Sequence, residues 1–227
     1  MAATAIHVPL VDQERDLGAP LRNTTHDIGI GQDRFGHETG DSDHRGARWL
    51  GVAPYLEPEH LLDLESVDTP NRLLALALTA LAPATNEYAT TTYQDAINWG
   101  DVMSRLKSLA EEQGYTWARQ EFYVVDFRSK LMEDIDSELL FKLDKFSHVE
   151  ATESGGLLKY WYGTPDADRR NLATCVWRNK NDAIKGGTGP WHKQARAIIP
   201  RMYEHIDVRG VRLVIEDNVE SWSFAPY

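Results

Sequence analysis

From residue 119 onward the chain alternates between two hydrophobic periods, and that rhythm limits its fold more than any other feature. Glu121–Arg128 is dense in β-branched and aromatic residues and reads as a strand. Asp136 to about Thr152 places Leu139, Leu140, Leu143 and Phe146 on one helical face and ends at Gly155-Gly156. Leu157–Gly163 and Leu172–Trp177 read as strands joined by the turn Thr164–Asp168. Asn179–Tyr203 is helical with a break at Gly186–Pro190, Val211–Ile215 is a strand, and Ser221–Phe224 allows one more. The order β-α-β-β-α-β predicts an α+β, ferredoxin-like domain over residues 119–227. Such a sheet carries both helices on one face, so something must cover the other. A second subunit, giving a dimeric α/β barrel, or the N-terminal part of the same chain would do so.

Residues 47–118 read as a helical extension packing on that domain. Pro58 suits the first turn of a helix. Leu73–Leu78 is apolar on all sides, which describes a buried helix stopped by Pro83. Ile97, Val102, Leu106 and Leu109 keep helical spacing up to a C-cap at Gly114. Residues 1–46, rich in Asp, Gly, Thr and His, show no sustained period and are expected to be irregular or disordered.

Composition excludes several classes. The net charge is −11 and no Lys/Arg run exceeds two residues, so the chain is not expected to bind nucleic acid. The longest apolar stretch spans about half a bilayer, and no membrane insertion is expected. A single cysteine, Cys175, fits a reducing compartment, and the expected location is cytoplasmic. One thiol makes no thiolate zinc site, and no metal or other cofactor is expected. Nucleophile-elbow, dinucleotide and zincin motifs are missing from the sequence.

A longer-range signal runs from about Trp49 to the C-terminus. It is carried by Asp63–Asp68, Leu73–Thr79, Gln120–Val125, Ser147–Trp161, Asn171–Arg178, Gly189–His192 and Leu213–Asp217. In these segments the chain resembles the UPF0643 family of fungal proteins. The resemblance implies a fungal source and brings no reaction with it.

Candidate site residues follow from strand alternation. If four strand sets point the same way, one sheet face gathers Asp126, Lys159, Trp161, Thr174, Val176 and Arg178, with Arg212, Val214 and Glu216 from the last strand. That face is amphipathic, as a concave ligand pocket is. The alternative is an exposed ion-pair network. His148, late in the first helix, and His192, after the glycine-rich break, are the candidate proton carriers. Lys159 and Arg178 would hydrogen-bond a carbonyl as further catalytic groups. Asp126, Trp161, Thr174 and Trp191 would bind substrate. His148 and Glu150 form an H-x-E pair whose members do not face each other on a helix, which argues against zinc. Gly186–His192 invites a phosphate-loop reading but lacks the Gly-Lys-Ser/Thr ending.

These residues predict a cofactor-independent cyclase or isomerase of fungal specialised metabolism. Its partner would be a bulky apolar small molecule, and the fold allows a homodimer. The alternatives are a cofactor-free monooxygenase or dehydratase, or a non-catalytic small-molecule-binding protein.

Overall fold

The computed structural model describes residues 48–227. The expectation for residues 1–46 falls outside them. The described chain opens with a two-stranded antiparallel ladder of β1 (Trp49–Gly51) and β2 (Leu61–Asp63). The sequence reading made this stretch wholly helical, because three-residue strands are too short to display a period. Pro58 does open a turn, the 3-10 turn Pro58–His60.

Three helices follow: α1 (Thr69–Ala77), α2 (Tyr93–Ala96) and α3 (Trp99–Glu112). Asp68 caps α1 by accepting from the Asn71 N–H, and Pro70 sits in its first turn. Val102, Met103, Leu106 and Ala110 form the buried stripe of α3. Gly114, at φ 60°, stops it.

The second half contains β3 (Gln120–Leu131), α4 (Ser137–Glu153), β4 (Leu157–Tyr162), β5 (Arg170–Trp177), α5 (Lys180–Gly186), α6 (Pro190–Met202), β6 (Tyr203–Ile215) and β7 (Trp222–Pro226). The sheet order is β4-β5-β3-β6-β7, antiparallel throughout. This is the ferredoxin-like α+β arrangement with β7 added at one edge. Strand β6 begins at Tyr203 rather than at Val211. Its first half, Glu204–Arg209, is polar on one face and mixed on the other, which leaves no half-buried alternation to read. Gly210 lets the Tyr123 ring lie close over the strand: a Cβ would fall 2.5 Å from its hydroxyl and displace it.

The two sheet faces are covered differently. Phe122, Val124, Leu172, Val176, Leu213 and Ile215 pack with Leu73, Leu74, Leu78, Trp99, Val102, Leu106 and Trp117 in the larger core. The chain's own residues 50–117 therefore cover the face turned away from α4. The other face is sparser: Ala151, Leu157 and Trp177 form its buried centre, flanked by half-buried Tyr123, Val125, Tyr160 and Cys175.

Register corrects one part of the predicted face. Val211 pairs with Val124 and Leu213 with Phe122, so the apolar set of β6 lies on the larger-core face and Arg212 and Val214 on the other. A slip of one residue inverts a strand's whole contribution, and composition alone does not fix it. A bulge between Leu157 and Lys159 likewise brings Leu158 into the larger core.

Candidate functional site

The face predicted to hold a pocket is filled. Asp126 and Thr174 are register partners in neighbouring strands, 4% and 0% exposed. Thr174 shares a 2.7 Å hydrogen bond with the Tyr93 hydroxyl, and Asp126 accepts from Arg128 Nε at 2.8 Å. Arg128 in turn donates to the Tyr88 carbonyl, and the Tyr88 ring meets Trp161 edge-on, with centroids 5.5 Å apart. Residues 88–93 thus occupy the space assigned to a substrate. Asp126, Trp161 and Thr174 act as core and not as open binding groups, because a buried polar group needs a partner and the chain supplies it.

Lys159, beside Val176 in the register, is half-buried with no ion pair among the described residues. Burial lowers its amine to about 8. Arg178 lies past the end of β5 and binds Asp182 in the first turn of α5 at 2.7 Å. Two concavities among the described residues, of about 290 and 400 Å³, are lined by Trp49, Pro58 and Leu61 and by Arg209–Val211 with Phe224–Tyr227. None of the predicted residues lines either one.

The chemistry gathers on the helix side. Asp136 caps α4 by accepting from the Leu139 N–H, and the helix turns Leu143, Ser147, His148 and Ala151 inward. Asp144 lies one turn before His148 on the same face. Its two carboxylate oxygens accept from the Tyr55 and Tyr160 hydroxyls, each at 2.5 Å. Burial pushes the Asp144 carboxyl up, against the two phenol donors that favour its charged form. The same burial, with Asp144 beside them, raises both phenols.

His148 meets His60, brought in by the Pro58–His60 turn, with the two Nδ1 atoms 2.9 Å apart. The rings are 4% and 0% exposed, and neither Nε2 has a protein partner. One Nδ1 must donate and the other accept, so the two rings cannot both be protonated on Nδ1 and the accepting ring is neutral. Burial lowers His148 to about 3, reinforced by His60 and His192, and lowers His60 as well.

A third constellation sits where α6 begins. Glu150 accepts from the Trp191 N–H at 2.6 Å, the His192 N–H at 3.0 Å and His192 Nδ1 at 2.8 Å. Burial works against its charge, but these three donors outweigh it and hold the carboxyl below the usual range. Gly189 has no side chain because a Cβ there would collide with the Glu150 carboxylate. The cradle that suggested a phosphate loop is therefore taken by the chain's own anion. Because Glu150 is charged, His192 Nδ1 donates to it, and in the neutral form of the ring the lone pair then falls on Nε2. The neighbouring Trp191 ring stacks on Phe146 at 4.4 Å.

The family model described as PB2B2.08-like matches residues 51–226. The UPF0643 protein PB2B2.08 of Schizosaccharomyces pombe is 32% identical over 184 residues, covering 78% of this chain and 84% of that protein. The chain belongs to the PB2B2.08-like family. A solved structure assigned as an antibiotic biosynthesis monooxygenase of Nitrosomonas europaea is 14% identical with a TM-score of 0.34, covering 40% of this chain and 86% of that one. A dimeric protein of ferredoxin-like fold from Bacteroides fragilis is 16% identical with a TM-score of 0.28, covering 39% and 93%. The fold assignment rests on strand order and not on these two likenesses. None of the described helices is long and apolar enough to cross a membrane.

In this family member His148 pairs with His60 from the inner face of α4 and His192, at the start of α6, pairs with Glu150 of α4, while Lys159 and Arg178 join neither pair. The sequence reading missed Tyr55, His60, Asp144 and Tyr160, and it set Glu150 aside. One signal was available: Asp144 and His148 sit four apart on the stripe that also carries Leu140 and Leu143. Tyr55 and His60 are about 90 residues upstream, and no local pattern announces a contact that distant.

Proposed function

We propose that the protein is a cofactor-independent enzyme that moves a proton on a bulky, mostly apolar small molecule, a cyclase or isomerase. Its site would be the helix-side recess and not the opposite sheet face. The observation that carries this reading is the Glu150–His192 dyad. A charged carboxylate fixes the imidazole tautomer and leaves Nε2 free as a base, on a side chain still 26% exposed.

Asp144, Tyr160, Cys175 and Tyr203 lie on the same side of the sheet. Each is only partly buried, so none is sealed inside the core. Helix α6 buries only Met202 and leaves Val125 and Phe127 of β3 half-buried. In this scheme His192 Nε2 takes a proton from the substrate. Asp144, pushed toward its neutral form by burial, returns one to oxygen or carbon. The Trp191–Phe146 stack offers an apolar platform beside the base. No electrons change hands, so the chemistry asks for no redox cofactor.

The test uses mass. Organic extracts of fission yeast lacking its relative, and of that strain carrying this chain or its His192→Ala variant, are compared by liquid chromatography and mass spectrometry. An isomerase predicts a precursor that accumulates in the deletion and in the variant, with a product of identical mass restored by the wild type. A product heavier by one oxygen supports the monooxygenase alternative, and one lighter by water the dehydratase. An unchanged profile in all strains refutes catalysis. A second reading, a non-catalytic binding protein, is favoured by one observation: residues 88–93 fill the sheet face that would otherwise be open.

A further inference from the structure

The sheet edges differ in how they end. On β4 the outward N–H of Tyr160 is taken by the Val52 carbonyl at 2.7 Å. On β7 the strand is short and closes with Pro226, which has no N–H. Among the described residues, none covers or blocks the outer side of the first half of β6. β7 pairs only with Val211–Ile215, and the last contact on that side is the Tyr227 N–H to the Gly210 carbonyl at 3.3 Å. From His205 to Arg209, no described residue pairs with the outer side of β6.

Hydrogen-bond parity shows what that side offers. In an antiparallel strand alternate residues direct both backbone groups to the same neighbour. Gly210 bonds outward to Tyr227, and Glu216, just past the strand, bonds outward to Ser221. Even-numbered residues of β6 therefore face outward and odd-numbered ones face β3. Ile206 and Val208 present N–H and C=O groups that no described residue pairs, and Val208 is 53% exposed. Such an edge is a template for another strand.

We propose that this edge pairs with the same edge of a second copy, antiparallel about a two-fold axis at Ile206. Side-chain pairing, a His ring N–H donating to an Asp carboxylate, selects the register. With the axis at Ile206, His205 lies opposite the second copy's Asp207, and Asp207 opposite its His205. Tyr203 faces Arg209, Ile206 faces Ile206, and Val208 gains Ile206 as a diagonal neighbour. Moving the axis one position either way sets Asp207 against Asp207 or His205 against His205, so like groups oppose each other. A two-fold at Val208 would also set unlike groups together, Asp207 against Arg209, but it would bring Ile206 against Gly210, whose outward carbonyl already accepts from Tyr227, so side-chain pairing and the β7 boundary together leave one self-complementary register open. An isologous pair uses up the edge on both copies, so assembly stops at two. The larger-core face, which a barrel-type dimer would use, takes no part.

The contact is short, and a dissociation constant of roughly micromolar order is expected. The test is sedimentation velocity on the full chain across a concentration series, with far-ultraviolet circular dichroism to verify folding. Wild type is expected to pass from monomer to dimer. Ile206→Pro removes an outward N–H that bonds no described residue, and it should stay monomeric with an unchanged spectrum. Asp207→His, which sets His against His, should weaken the dimer at least about tenfold. Adding His205→Asp in the same chain should restore it, because the opposite pairs return. A wild type that remains monomeric, an Ile206→Pro variant that still dimerises, or a species larger than two overturns the proposal. Failure of the double exchange to recover pairing overturns the register.

Discussion

Acid should weaken this fold through the buried histidine pair. His148 titrates at about 3 in the folded chain and near the ordinary histidine value, about 6.5, once unfolded. Its folded pKa is depressed, so the unfolded state binds more protons as pH falls below the unfolded value. The stability contributed by the neutral ring is therefore fully present above about pH 6.5 and is lost as pH drops toward about 3. Between about pH 7.5 and about pH 5 a group with these two values removes about 2 kcal/mol. His60 acts in the same direction, since burial lowers it too. Asp144 acts in the opposite direction: its raised carboxyl binds a proton more readily in the folded state, so acid relieves its burial. A comparison of wild type with His148→Asn separates the terms, because both keep Asp144. Urea melts at the two pH values should show wild type losing about 2 kcal/mol more than the variant over the interval. A difference under about 0.5 kcal/mol would refute the reasoning, because it would mean that His148 is not desolvated in the folded chain.

Other perturbations read the same geometry. Tyr55→Phe removes one of two donors to a partly buried carboxylate and should cost about 1–3 kcal/mol in urea melts. Glu150→Gln replaces the charged acceptor of three bonds at the start of α6 and should cost about 1–2 kcal/mol, with hydrogen exchange rising first at Trp191 and His192. Gly156→Ala combines a φ of 83° with a Cβ only 2.5 Å from Asp182 Oδ2, so it should destabilise by about 2–3 kcal/mol. Cys175, whose thiol burial pushes far up, should react with a disulfide reagent at neutral pH only when urea unfolds the chain.

The sheet's strand order could be anticipated because each element carries its own period. β3, α4, β4 and β5 are long enough, and half-buried enough, for alternation or a helical stripe to show in the residues themselves. The elements that escaped were those whose pattern carries no burial signal. β1 and β2 are three residues each, and the first half of β6 mixes exposed and half-buried residues on both faces.

By itself the sequence determined the ferredoxin-like order of elements, the buried helix at Leu73–Leu78 and the candidacy of His148 and His192. These are local properties, fixed by spacing along the chain. Tertiary structure alone decided three things: that Val211 and Leu213 share a face with Phe122, that Tyr88 and Tyr93 fill the predicted pocket, and that Tyr55 and His60 reach Asp144 and His148. Each depends on register or on contacts across about 80 residues, where the choice is made by which arrangement pairs every buried polar group while burying the most apolar surface. No stretch of neighbouring residues contains that information.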